Sequence, residues 1–94
     1  MSVIHRVWLK QHAGNAMGIC WQLRKIRPER NEYRFYSLHV SPGVFGDWAL
    51  VKEWGRIGSP GTVRCEWFST EAEAVAAAWA LKAKKEKGGY QRYV

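Results

Sequence analysis

The breaks between the strand-like stretches of this chain are too short for anything but hairpins. "RPERNE" (27–32), "SPGVFGD" (41–47) and "SPG" (59–61) carry the proline, glycine, asparagine and aspartate that turn a backbone. A parallel crossover needs a dozen or more residues, so stretches joined by these turns run in opposite directions. The stretches are "ICWQLRKI" (19–26), "YRFYSLHV" (33–40), "WALVKEWGRIG" (48–58) and "TVRCEWFS" (62–69), all rich in strand formers. Alternation puts Ile19, Trp21 and Leu23 on one side of the first, and Tyr33, Phe35, Ser37 and His39 opposite Arg34, Tyr36, Leu38 and Val40 in the second. It puts Trp48, Leu50, Lys52 and Trp54 together in the third, and Val63, Cys65 and Trp67 together in the fourth.

At Thr70 the period changes. "TEAEAVAAAWALKAKKEK" (70–87) has the alanine content of a strong helix. Thr70 and Glu73 have capping-box spacing. Glu71 and Glu73 suit the positive end of the helix dipole, and Lys82, Lys84, Lys85 and Lys87 the negative end. Ala72, Val75, Ala76, Trp79 and Ala83 are expected to form the apolar stripe, and Gly88 with Gly89 to stop the helix. The fold class expected is α+β: a twisted antiparallel β-sheet of four to five strands with one C-terminal α-helix packed across one face. The other sheet face would be left open as a ligand or partner surface. Residues 1–18 read as an N-terminal extension, with a possible short strand in "VIHRVWLKQ" (3–11) and a loop in "HAGNAMG" (12–18); residues 19–94 read as the domain proper.

Composition narrows the function classes. A chain of 94 residues supports one modest core. At 47% hydrophobic it is far from disordered, and six tryptophans exceed what a small core holds. Fifteen Lys and Arg against eight Asp and Glu leave +7, a potential that draws polyanions. An acidic protein surface is the weaker alternative partner, and no segment suits a membrane surface. Cys20 and Cys65 sit in apolar runs without metal-ligand spacing and are expected to be buried free thiols of a reducing compartment. The N-terminus lacks a signal-peptide core and no window approaches a membrane span, which gives an expectation of a cytoplasmic protein.

Catalysis finds little support. The three histidines, His5, His12 and His39, are scattered, and no serine sits in a nucleophile elbow. "GRIGSPG" lacks the Lys-Ser/Thr ending and the following helix of a phosphate loop. No enzyme, cofactor or metal is expected. Binding is better provided for. Trp54 and Arg56 leave the same face of their strand, with Gly55 between them allowing close approach. Tryptophan offers a stacking plane and arginine a fork for phosphate. The plainer alternative is that Trp54 packs under the helix and Arg56 is a solvated charge. Arg24, Lys25, Arg27, Arg30, Arg34 and Lys82 to Lys87 are ordinary surface charges one by one; they make one cationic rim if the helix end and the Gly58–Gly61 turn reach the same edge.

The segment from Trp48 to Tyr90 resembles the WGR domain, named for the motif that stands here as Trp54-Gly55-Arg56. The resemblance includes the preceding hydrophobic strand, Ile57-Gly58, Gly61, the acidic and alanine-rich helix, Lys85 and Gly89-Tyr90. "RPERNEYRFYSLHV" resembles the family's first half through Asn31 and Phe35-Tyr36, for a total of about residues 20 to 92. The resemblance implies the sheet-and-helix fold already read from the pattern. In DNA-dependent poly(ADP-ribose) polymerases such a domain grips DNA near a break, its motif tryptophan against sugar at the strand end and its arginine linking DNA sensing to neighbouring domains. It implies Trp54 as platform, Arg56 as phosphate or inter-domain contact, and Lys85 and Tyr90 as support on the same rim. Thr62 stands where the family often has glutamine, so a polar contact there differs. Nothing here resembles those enzymes' catalytic, zinc-finger or regulatory domains; the chain is most similar to small stand-alone bacterial versions.

The expectation is therefore a non-enzymatic module that binds DNA backbone or strand ends through Trp54, Gly55, Arg56, Arg34, Lys85 and Tyr90. The alternative is a protein-interaction module acting through the open sheet face, or self-associating through residues 3–11.

Overall fold

The computed structural model describes residues 19–93. The expected strand at 3–11 and loop at 12–18 lie outside the described residues. Five strands and one helix follow in chain order: β1 (Cys20–Arg27), β2 (Glu32–Pro42), β3 (Trp48–Arg56), β4 (Thr62–Phe68), α1 (Glu71–Lys87) and β5 (Gln91–Arg92). The sheet order is β4-β3-β2-β1-β5, and every pairing is antiparallel. The short turns dictate this meander, and the strand that sequence reading did not place is β5, two residues pairing with Leu23 and Arg24. A two-residue strand is beyond the reach of periodicity, which needs several alternations.

The helix packs on the face that carries Trp21 and Leu23 of β1, Tyr36, Leu38 and Val40 of β2, and Leu50 of β3. Ala74 and Ala78 complete this core and are fully buried. The expected helical stripe was thus rotated about the helix axis: Ala72, Ala76 and Ala83 are exposed, and Trp79 keeps 54% of its surface. In a run of alanines the period cannot choose the buried face, because alanine serves both. Ala74, Ala78 and Leu81 recur at four- and three-residue steps and face the sheet, while Trp79 leans edge-on against Trp21 at 4.6 Å on the flank.

Both helix ends are made as the sequence requires. Thr70 Oγ1 accepts from the Glu73 amide at 3.2 Å, and Glu73 Oε1 accepts from the Thr70 amide at 3.3 Å. At the other end the Gly88 amide donates to the carbonyls of Lys84 and Lys85, and Gly89 takes φ +105°, which a side chain would resist.

Two expectations are corrected. The face opposite the helix is closed along its centre, where His39, Ser41, Ala49, Val51 and Glu53 are buried, and is exposed on the flanking strands, at Cys20, Gln22, Cys65 and Trp67. The buried residues lie on β2 and β3, each of which has a paired strand on both sides. The cysteines are free but exposed. Cys20 lies on β1 beyond the reach of β5, and Cys65 lies on the edge strand β4, so each lacks a neighbouring strand on one side. Partial desolvation still raises both thiols above their ordinary 9.0. Among the described residues no helix is long and apolar enough to cross a membrane.

Candidate nucleic-acid interface

The antiparallel order brings five chain segments to one end of the sheet: the close of β1, the start of β2, the close of β3, the start of β4 and the C-terminus of α1. The helix crosses far enough that a Cβ on Gly89 would lie 2.6 Å from the Arg27 guanidinium and 3.1 Å from the Lys25 side chain. The helix end and the turn after β3 therefore share one end of the molecule, the condition for a cationic rim.

Aromatic rings form the floor. Trp54 and Tyr36 are cross-strand partners and stack at 5.6 Å, 10° from parallel. Tyr90 meets Tyr36 edge-on at 6.1 Å. The Lys85 ammonium lies 4.5 Å from the Tyr36 centroid and 5.8 Å from that of Tyr90, and Lys25 is also 5.8 Å from Tyr90. Cations over ring faces hold their charge in place without cancelling it. Tyr36 is 6% exposed, so it positions its neighbours, whereas Trp54 is only partly buried. Burial, and secondarily Tyr90, push the Tyr36 phenol above its ordinary 10.0. Trp54 places one face on Tyr36, packs in part against the core and keeps part of its surface exposed.

Arg56 is placed differently from a free phosphate fork. Its guanidinium donates to the Asn31 carbonyl at 3.2 Å and to Asn31 Oδ1 at 3.3 Å, and lies 5.3 Å from the Tyr33 ring. Asn31 takes φ 52°, a left-handed conformation that asparagine tolerates, and so closes the 3-10 turn Pro28–Arg30. Arg56 thus braces the β1–β2 turn from β3 and spends part of its donor set doing so. Its remaining N–H groups line a groove of about 420 Å³ with Arg30, Glu32, Tyr33, Arg34 and Gly55. Arg34, the direct cross-strand partner of Arg56, reaches Glu32 at 3.6 Å, and Lys25 reaches the same carboxylate oxygen at 3.8 Å. One carboxylate shared by two cations leaves the end positive.

Gly55 serves packing. A Cβ there would meet Gly61 Cα at 3.2 Å and the Phe35 ring at 3.3 Å. The close backbone approach expected at Gly55 is made by Gly61 of the same chain. Of the six expected residues, Trp54, Lys85 and Tyr90 join in the aromatic cluster, Arg34, Gly55 and Arg56 line the groove beside it, and Trp54 and Arg56 share a strand face as spacing required. Arg24, grouped by sequence with Lys25 and Arg27, faces away: it donates to Tyr93 Oη at 2.9 Å and stacks on that ring at 3.7 Å. Sequence reasoning named Lys25 only as one charge of a conditional rim and Asn31 only through the resemblance, and it missed Tyr36 as a member. Tyr36 was within reach, since alternation already placed it with Arg34; its pairing with Trp54 required the register.

A basic α+β domain with an aromatic, lysine-capped sheet end is what fold and site together define. The WGR domain family matches residues 20–94, and the chain belongs to that family. It is 36% identical over 69 residues to the uncharacterized protein y4dW of Sinorhizobium fredii, covering 73% of this chain and 34% of the relative, so the chain spans about a third of that relative's length. No solved structure gives a significant match.

Proposed function

We propose that the chain is a non-enzymatic DNA-binding module that engages backbone and strand ends through the Trp54–Tyr36–Tyr90 end of its sheet. The observation that carries this reading is the lysine-capped aromatic cluster: Lys85 and Lys25 over the tyrosine rings, beside a Trp54 that stacks on Tyr36 and keeps part of its surface exposed. A partly exposed indole is an apolar plane for a terminal sugar or base, and the surrounding cations supply backbone attraction without base readout. Family membership supports nucleic acid as the ligand class. Arg56 acts here first as a brace: it holds the β1–β2 turn so that Arg30 and Arg34 face the same groove, with its spare donors turned to phosphate. This gives the motif arginine a role within the domain itself.

The test is a fluorescence-anisotropy titration of linear duplex at low salt, with covalently closed circular DNA as competitor. Wild type binds, and linear DNA competes better than circular DNA at equal base pairs. Trp54→Ala weakens binding by about 5- to 150-fold, the loss of one stacked base. Absence of wild-type binding at roughly tens of micromolar, where even non-specific DNA binding registers, sinks the reading.

A further inference from the structure

Strand β4 is an edge strand of seven residues, "TVRCEWF", with no strand on its outer side among the described residues. Natural edges are blunted by prolines, bulges, lysines or great brevity. Thr62–Phe68 contains no proline, glycine or lysine, and all seven residues pair in unbroken register with β3. All but Cys65 are strand formers or charged, and Arg64, Cys65, Glu66 and Trp67 are exposed. Trp67 keeps 57% of its surface.

The order of these residues is self-complementary. If β4 pairs antiparallel with a second β4 centred on Cys65, each Arg64 stands directly opposite the second copy's Glu66, twice over by symmetry. On the other face Val63 stands opposite Trp67 and Cys65 opposite Cys65, while Thr62 meets Phe68 beside the charged pairs. Opposite-charge and aromatic–β-branched pairs are the favourable cross-strand combinations. A shift of two residues along the partner puts Arg64 opposite Arg64 or Glu66 opposite Glu66, which is repulsive. The chemistry therefore selects one register as well as one partner. Arg64 has no ion pair among the described residues, and Glu66 has only an exposed contact to Lys52 at 3.5 Å.

We propose that β4 is the interface through which this chain pairs with a second copy of itself, in the register centred on Cys65. The contact is isologous, so it closes at two copies and does not propagate. Opposing residues of an antiparallel pair share a face, so the two five-stranded sheets become one, both helices lie on the same side, and the two Trp54 ends point in opposite directions. The proposal is independent of DNA binding, because β4 pairing leaves Trp54, Lys85 and Tyr90 uncovered.

Sedimentation velocity on the full chain under reducing conditions tests it. The expected result is a mass rising from one chain to two with concentration. Arg64→Glu and Glu66→Arg each weaken association by about tenfold or more, since each sets like charges opposite one another. The double swap Arg64→Glu/Glu66→Arg restores it, and places a carboxylate directly opposite Lys52, which wild-type Glu66 reaches from two residues along. Circular dichroism on each variant separates misfolding from lost pairing. In Cys20→Ser protein, diamide, which takes two electrons and two protons from two thiols, then joins two chains through Cys65, and Cys65→Ser abolishes the product. A single chain at every concentration overturns the proposal. So does a dimer that ignores both charge reversals, which would place the contact elsewhere.

Discussion

A methyl group at residue 61 would lie 2.7 Å from the Phe35 ring and 2.8 Å from the Trp54 carbonyl oxygen. The second contact is to backbone and cannot be relieved by a rotamer, so Gly61→Ala should destabilise by about 1–3 kcal/mol, as overpacking does. At Gly55 the nearest atoms are 3.2 Å and 3.3 Å away, and Gly55→Ala should cost less. Denaturant midpoints of the two variants rank them; a larger loss at Gly55 would contradict the geometry. Both glycines were visible as sequence signals, but what they make room for was not, because Phe35 reaches them from another strand. Tyr36 gives a second prediction. Its folded-state pKa is raised, so the protonated form is favoured by folding, and its stabilising contribution is full below the ordinary value of 10.0 and lost as pH rises through the folded value. Thermal midpoints should fall above pH 10.0 more steeply in wild type than in Tyr36→Phe. Equal slopes would mean that the phenol is not desolvated.

Helix α1 shows how far an element can be read from sequence and where reading stops. Its capping box, dipole charges and glycine stop are local chemistry, and all three are present. Its buried face is tertiary, set by the sheet beneath, and the alanines concealed it. Ala78→Leu should therefore cost about 1–3 kcal/mol or more against a closed core, while Ala76→Leu on the exposed side should be close to neutral. Urea midpoints decide between the faces; the reverse ranking would restore the Ala72–Ala76 stripe. Thr70→Ala should cost about 1 kcal/mol by leaving the Glu73 amide without its side-chain acceptor. The strands were legible for the same local reason, since turns and alternation lie within each segment. Their faces became meaningful only with register, which put Trp54 on Tyr36 and separated Arg24 from Lys25.

At the scale of the whole molecule, the chain is polarised along its strands. One end gathers Lys25, Arg27, Arg34, Arg56 and the lysines of the α1 C-terminus. The other carries the β2–β3 hairpin tip, where Val44 and Phe45 are 88% and 91% exposed. The net charge of +7 was plain from composition, but its concentration at one end depends on where α1 stops relative to β1. A polarised cation distribution should bind DNA with a steep salt dependence, and Lys85→Gln should reduce the slope of log K against log salt by about 1 if that ammonium contacts phosphate. An unchanged slope would assign Lys85 to the tyrosine rings alone. The central claim, that DNA is held at the Trp54 end, is tested most directly by NMR on isotope-labelled full-length protein titrated with a short linear duplex. The account predicts shifts at the Trp54 indole, at the amides of Arg34, Gly55, Arg56 and Lys85 and at Tyr90, with residues 43–47 unmoved. Shifts centred on the hairpin tip, or spread evenly over the surface, would contradict it.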